Sequence, residues 1–374
     1  MTRPTIVKPD FNSMYNGNLP WLKDRTILAV LHGSHAYGLN TETSDIDVKG
    51  VCVAPRSVYL GYTHKFEQAE GKDPYDLVVY ELRKFIKLAA NCNPNIIEVL
   101  HTDPESWIKV TPAGQLLLDN KDKFLSMKAK HTFSGYANSQ LKRIQGHYRW
   151  LKNPPKTPPT RKDFELPEIS LISRDQYGVI EAEIRKKIET FDFNWSVLEE
   201  SDRINLQGCI AGFFTEMNLT EGEVWTRTGR TLGFDDNFLE HLQKERLFKA
   251  KQTEWEQYQN WKKTRNPKRS AIEAKFGFDL KHASHLVRLI KMCREIITTG
   301  KVNVMRTDDR EELLAIKNDG IWSYEKLIEW SDTQEKELSL LYKTCTILPR
   351  EPDHVFLNDM CQKIIEEVLN KDLA

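Results

Sequence analysis

Between residues 26 and 53, two apolar runs flank a polar stretch that begins Gly33-Ser34 and ends Asp45-Ile46-Asp47. The first run, Thr26-Ile-Leu-Ala-Val-Leu31, is too apolar for strict alternation and reads as a buried strand. The second, Ile46-Asp-Val-Lys-Gly-Val-Cys-Val53, is rich in β-branched residues and reads as its neighbour. A glycine-serine pair just past a strand presents backbone to a phosphate. Aspartates at i and i+2 of a strand point to the same face. Strand, phosphate grip and paired carboxylates, in this order, fit a pocket for a nucleoside triphosphate and divalent cations.

A third apolar run, Asp76-Leu-Val-Val-Tyr-Glu81, follows a Gly/Asp/Pro turn region. It leads into a helix with Leu82, Phe85, Ile86, Leu88 and Ala89 on one side. Asn93-Pro94-Asn95 breaks that helix, Ile96 to Leu100 continues the domain, and Pro112 marks the start of a helix over 113–119. Beyond about residue 125 helical periodicity takes over. The spacing predicts helices over 128–151, 175–190, 199–217, 236–264, 270–299, 308–317, 323–344 and 354–370. Asn153-Pro-Pro-Lys-Thr-Pro-Pro159 cannot be helical. The expected fold class is α+β: a small catalytic domain over 1–125 with a mixed sheet and helices, then a larger, mainly α-helical domain over 126–374 with a Pro-rich loop near 153–159.

Composition narrows the setting. Lys plus Arg and Asp plus Glu are both 54, so the formal net charge is zero, which argues against a generic nucleic-acid coat but not against a local basic groove. No apolar run approaches the ~18–20 residues that span a bilayer, and Met1 to Asp10 lacks the apolar core of a signal peptide, so no membrane partner is expected. Six scattered cysteines without Cys-x-x-Cys spacing suit reduced thiols and a cytoplasmic setting.

Phosphoryl transfer needs positioning and charge neutralisation more than covalent chemistry. Two divalent ions about 3.5–4 Å apart lower the charge on the attacking oxygen and the leaving pyrophosphate. Asp45 and Asp47 are the candidate metal ligands and catalytic carboxylates. Asp76, at the start of the next strand, is the expected third, with Glu81 as the alternative third ligand. Magnesium is the expected ion, and manganese suits the same oxygen donors. Gly33 and Ser34 are placed at the triphosphate, while Tyr37 and His35 lie in the loop between grip and carboxylates. Lys84, with Arg83, begins the helix after Glu81 and is a candidate substrate contact, against the alternative of a solvated helix face. His282, His285 and Arg288, spaced i, i+3 and i+6 on one helix, form a candidate substrate-binding face or an inter-helix polar seam.

The stretch Leu31-His-Gly-Ser-His-Ala-Tyr-Gly-Leu39 followed by Thr43-Ser-Asp-Ile-Asp-Val-Lys-Gly50 resembles the polymerase-β-like nucleotidyltransferase superfamily. Within it the chain is similar to predicted nucleotidyltransferases that include polymerases proposed for RNA repair. Tyr80-Glu-Leu-Arg-Lys-Phe85, Asn93-Pro-Asn-Ile-Ile-Glu98 and Lys281-His-Ala-Ser-His-Leu-Val-Arg288 carry the closer likeness, which runs on through Gly300-Lys-Val and leaves roughly 150–270 without a counterpart. The resemblance implies transfer of a nucleoside monophosphate from a triphosphate, with Gly33 and Ser34 at the triphosphate and Asp45 and Asp47 at the metal. Two segments mix cations with aromatic rings, as contacts to single-stranded RNA or a tRNA end do: 142–162, with Tyr148 and Trp150, and 249–269, with Trp255, Tyr258 and Trp261. The expected acceptor is therefore an RNA or tRNA 3′ end. The alternatives are nucleotidylation of a small molecule or protein, and a non-catalytic nucleotide-binding regulator.

Overall fold

The computed structural model describes residues 8–15, 17–62, 65–72, 75–190, 221–265 and 267–371. The helix expected over 199–217 lies outside the described residues. Five strands form one sheet: β1 (Thr26–His32), β2 (Asp47–Cys52), β3 (Gln68–Gly71), β4 (Asp76–Glu81) and β5 (Trp107–Val110). Their order is β3-β4-β2-β1-β5, with β2 and β4 parallel and the other neighbours antiparallel.

Every residue of β1 is buried because the sheet is covered on both faces. Leu28, Val30 and Val51 face a core shared with Phe85, Ile97, Leu286 and Ile290. Ala29, Leu31, Val48, Leu77 and Val79 face a smaller core with Phe11, Met14 and Leu22 from the N-terminal segment. The near-continuous apolar run of the sequence reflects this double cover.

Helices α1 (Leu82–Ala90) and α2 (Pro94–Leu100) lie between β4 and β5 in the chain, and α3 (Pro112–Asp119) and α4 (Lys128–Lys152) follow β5. Glu81 caps α1 by accepting the Lys84 amide, and Pro94 stands in the first turn of α2. After α5 (Arg174–Thr190) come α6 (Glu221–Thr231), α7 (Asp236–Thr264), α8 (Pro267–Phe276), α9 (Leu280–Thr299), α10 (Arg310–Asp319), α11 (Tyr324–Thr344) and α12 (His354–Asn370). The single helix expected over 270–299 is two. Gly277 has φ +86°, and Asp279 starts α9 as a new helix by accepting the His282 amide.

Residues 1–148 and 268–374 make one compact unit and 149–267 another, a division that falls elsewhere than residue 125. The reason is packing: Leu286, Val287 and Ile290 of α9 enter the core of the N-terminal sheet. The second unit has its own small core of Ile172, Tyr177, Ile184, Trp225, Leu239 and Leu242.

A buried charge pair joins the two sequence halves of the first unit. Arg288 Nη1 of α9 donates to Glu98 Oε1 of α2 at 2.5 Å, and the two side chains are 2% and 1% exposed. Tyr37 Oη donates to Glu98 Oε2 at 2.6 Å, His32 Nε2 lies 3.3 Å from that oxygen, and the Arg288 guanidinium stacks 3.6 Å from the Tyr37 ring centroid. Burial pushes the Glu98 carboxyl up, but Arg288 and the adjacent His32 outweigh it and hold it well below the usual carboxylate range. Burial, reinforced by Lys49, lowers His32 to about 4.

Removing one partner of such a pair strands a buried charge. Arg288→Met is expected to cost about 3–5 kcal/mol in urea unfolding, and adding Glu98→Gln is expected to restore part of it in a double-mutant cycle. Strict additivity would show that the two groups are not coupled.

The pH dependence has a definite sign. An unfolded histidine takes up a proton below about 6.5, whereas folded His32 refuses it until about 4, so stability is lost as pH falls through that window. His101 and His285, both lowered to about 3 chiefly by burial, act in the same direction. The depressed Glu98 adds a further loss as pH falls below the ordinary carboxylate value. The urea midpoint is expected to drop between pH 7 and pH 4, and to drop less in His32→Gln. An equal drop in both proteins would remove His32 from the account.

Candidate functional site

The site lies where β1 ends, β2 begins and β4 begins. Asp47 opens β2, opposite His32 on β1 and opposite Asp76, the first residue of β4. Because β2 and β4 are parallel and in register, Asp47 and Asp76 share a face of the sheet on adjacent strands, about 4.8 Å apart along the hydrogen-bonding direction. Asp45 does not lie on the strand. It is exposed in the turn before β2 and still contributes negative charge at Asp47. Partial burial raises the Asp47 pKa, and the neighbouring Asp76 and Asp45 add to the rise, while Lys281 and Lys49 oppose it.

Gly33 stands against this carboxylate. Its φ is +62°, in the left-handed region, and a methyl group built on it would collide with Asp47 Oδ2. Glycine is required for both reasons. The chain then makes one helical turn, Gly33–Ala36, closed by Tyr37 N to Gly33 O at 3.1 Å and Leu39 N to Ser34 O at 2.9 Å. The C-terminal helices hold the far side of this loop. The Arg306 amide donates to Tyr37 O at 3.0 Å, Arg310 Nε to Gly38 O at 2.7 Å and Lys317 Nζ to Leu39 O at 3.3 Å. Arg306 is itself clamped between Glu295 and Asp309.

The structure thus brings Gly33, Ser34, Asp45, Asp47 and Asp76 to one place, and it takes Glu81 away. Glu81 sits at the other end of β4, 2% exposed, accepting from Tyr59 Oη, Arg83 Nε and the Lys84 amide. Its oxygens are committed to capping α1, so it does not join the carboxylates. Lys84 lies beyond Glu81 and pairs with Glu67 at 2.8 Å, away from the Asp47–Asp76 end of the strand.

Tyr37, His282, His285 and Arg288 are turned toward the protein. Tyr37 and Arg288 are joined through Glu98, and His282 Nδ1 meets Gln140 Oε1 at 2.8 Å. The His285 ring packs edge-on against Tyr136, and burial followed by the nearby Arg288 lowers its pKa. These side chains form the inter-helix seam and brace the loop from below.

Sequence reasoning missed Lys49, Glu98, Lys281 and Lys317. Lys49 carried a usable signal: it is i+2 from Asp47 and so shares its face. Burial lowers it to about 8, and Glu98 and Asp47 oppose that shift. Glu98 and Arg288 are 190 positions apart, and no local pattern couples them.

The donor chemistry suits a hard cation bound in an open manner. Among the described residues no three His, Cys, Asp or Glu side chains converge into a closed metal cage. Magnesium in phosphate-processing sites is characteristically held by one or two carboxylates together with substrate phosphates and water. Asp47 and Asp76 on adjacent strands, with a mutual repulsion that Lys281 and Lys49 offset only in part and a glycine keeping space beside Asp47, fit that mode.

The aromatic rings of the basic-aromatic segments pack on one another or on neighbouring rings, and some of the cations are paired. In the second unit Trp150 and Tyr258 are buried, and Trp150 packs on Tyr258 and Trp261 at 5.8 and 5.5 Å. Arg149 pairs with Glu254, and Arg161 with Glu245. In the first unit Tyr148 stacks on Tyr324 at 3.8 Å. The side chains of Lys268 and Arg269 lie outside the described residues. Among the described residues no helix is long and apolar enough to cross a membrane.

Comparison with known proteins finds a family match that includes this region. Residues 15–154 match the family described as RlaP, RNA repair pathway DNA polymerase beta family. A protein of Enterobacteria phage T4, described as an uncharacterized 38.9 kDa protein in the nrdC-mobD intergenic region, is 32% identical over 127 residues, covering 31% of this chain and 38% of that protein. The uncharacterized protein YcgL of Bacillus subtilis (strain 168) is 31% identical over 94 residues, covering 25% of this chain and 36% of YcgL. The chain therefore spans well under half the length of these curated relatives. A crystal structure of a nucleotidyltransferase-like protein from Exiguobacterium sibiricum 255-15 aligns with 65% of this chain and 76% of that one, at 11% identity and a TM-score of 0.24, too low to carry an argument. The segment 15–154, which carries the Gly33-Ser34 loop and the strand-borne aspartates, is thus similar to the polymerase-β-like nucleotidyltransferase family.

Proposed function

We propose that this protein is a metal-dependent nucleotidyltransferase that moves a nucleoside monophosphate from a nucleoside triphosphate to an acceptor hydroxyl, with release of pyrophosphate, and that the acceptor is an RNA or tRNA 3′ end. The observation that carries the reading is the in-register pairing of Asp47 with Asp76, with Gly33 pressed against the Asp47 carboxylate.

In this reading the acceptor hydroxyl gives up its proton to water and its oxygen attacks the α-phosphorus. The bond from that phosphorus to the bridging oxygen breaks, and pyrophosphate leaves with the electron pair. Magnesium or manganese, when bound, supplies charge neutralisation at the attacking and leaving oxygens. Asp47 and Asp76 would hold it, with Asp45 at the rim. The Gly33 backbone and the Ser34 side chain would hold the β- and γ-phosphates. Lys49 and Lys281, whose charges reach Asp47, would face the developing negative charge. Tyr37, Glu98, Arg288 and His32 would act as positioning residues that fix the loop before substrate arrives.

Release of labelled pyrophosphate from each of the four nucleoside triphosphates, with magnesium or manganese and with or without short RNAs and tRNA, tests the reading. RNA-dependent release with a lengthened RNA supports it. Release that depends on a small molecule or protein moves the acceptor to that class. Nucleotide binding without release under any condition overturns catalysis. Asp45→Ala and Asp47→Ala are expected to abolish turnover with the far-ultraviolet circular dichroism unchanged. Wild-type turnover in the double variant would sink the assignment.

A calorimetric consequence is separate from turnover. Magnesium or manganese is expected to raise the melting temperature of the wild-type protein but not that of Asp47→Asn. Gly33→Ala is expected to lose the cation-induced shift as well. It should also be destabilised by about 1–2 kcal/mol for the left-handed backbone alone. A Gly33→Ala protein with normal stability and a normal metal response would contradict the close approach to Asp47.

A further inference from the structure

At the end of β4 opposite the carboxylates, a trough of about 660 Å³ runs between α1 and the residues that precede β3. One wall is the outer face of α1, where Lys84, Lys87, Leu88 and Asn91 follow helical spacing. Tyr62, Lys65, Phe66 and Glu67 supply the other wall. Phe66 is fixed by an edge-on contact with Trp21 at 5.0 Å and, with Leu88, gives the trough an apolar floor.

Four cations line this trough and two carboxylates oppose them. Of the carboxylates, Glu81 is buried as the α1 cap and Glu67 is paired with Lys84. Lys65 and Lys87 are exposed and make no ion pair among the described residues. Arg83 lies 4.5 Å from the Tyr59 ring centroid, with its side chain half exposed. Tyr62 is 96% exposed. A surplus of positive charge, an apolar floor and an unstacked aromatic ring are what an unpaired polynucleotide uses: phosphates meet the cations and a base stacks on the ring. An acidic peptide would satisfy the lysines but leave Tyr62 without a role. A duplex would leave no base face open to it.

We propose that this trough binds the single-stranded segment of an RNA acceptor, upstream of the hydroxyl that reacts. The proposal rests on the reading of the Asp47–Asp76 site as a nucleotidyltransferase acting on RNA. β4 itself spans the two places: Asp76 at one end and Glu81 at the other are separated by about 16 Å of strand. The basic-aromatic segments around Trp150 and Tyr258 have their rings packed together, whereas Tyr62 is open to a ligand.

The test is fluorescence anisotropy with a short labelled single-stranded RNA, without nucleotide, across a salt series. Lys65→Ala/Lys87→Ala is expected to weaken binding at least tenfold and to reduce the slope of log affinity against log salt by about 1.4, at ~0.7 for each phosphate that is no longer neutralised. Tyr62→Ala is expected to weaken binding about tenfold with little change in slope. Unchanged affinity in all these variants, with melting temperatures equal to wild type, overturns the proposal. So does equal competition by duplex RNA or polyglutamate together with an inert Tyr62→Ala. Pyrophosphate release by the same variants separates the two readings. RNA-dependent release in a protein whose variants bind RNA normally removes the trough and leaves the transferase. Absence of RNA-dependent release in wild type, with Tyr62- and lysine-dependent binding intact, removes the RNA-transferase reading and leaves the trough as an RNA site.

Discussion

The first unit is organised around one unfavourable act, the burial of a carboxylate. Placed at 1% exposure, Glu98 would be too costly without compensation. Arg288, Tyr37 and His32 supply it from three separate elements: helix α9, the loop after β1 and the central strand β1. Each partner is thereby held where Glu98 needs it. The loop bearing Gly33 and Ser34 takes its position partly from this network and partly from Arg306, Arg310 and Lys317, which bind the carbonyls of Tyr37, Gly38 and Leu39. The loop is thus anchored by side chains and backbone amides from several elements of the first unit.

The same geometry explains the division of labour among the carboxylates. Asp47 and Asp76 begin strands that run in parallel, so register alone places them side by side. Glu81 ends one of those strands, and its burial and capping bonds give it to the fold. Two acidic residues five positions apart on one strand therefore differ in role because one end of the sheet is open and the other is covered by a helix.

Much of this was legible in the sequence, and the limits have physical causes. The strands near 26–31, 46–53 and 76–81 were readable because burial on both faces leaves long apolar runs. Most helices beyond 125 were readable because each buries one stripe. β3 and β5 are only four residues long and carry no full period of alternation, so they were invisible. The break at Gly277 was hidden inside continuous helical periodicity, although the Gly277-to-Asp279 pairing of a left-handed residue with a cap is a local stop-start signal. The position of the Gly33-Ser34 turn and of Asp47 at the strand ends was readable from spacing, whereas Asp45 lies before β2 and not on it. The choice between Asp76 and Glu81 was not readable, because it depends on which strand end is covered. The seam residues His282, His285 and Arg288 were singled out from helical spacing, but their inward partners Gln140, Tyr136 and Glu98 lie far off in the sequence, where no periodicity links them.

The partition of the chain has a consequence for the order of assembly. The first unit draws on residues before 149 and after 267, and its central ion pair closes a loop of 190 positions. During synthesis the sheet can form early, but Glu98 has no guanidinium to meet until α9 has left the ribosome. Long-range closures of this kind are slow and are rewarded only at the end. An incomplete chain would carry the aspartates and the glycine-serine turn with the loop unbraced and the carboxylate of α2 uncompensated. Completion of the first unit therefore waits on α9, which lies far along the chain from the sheet it packs against.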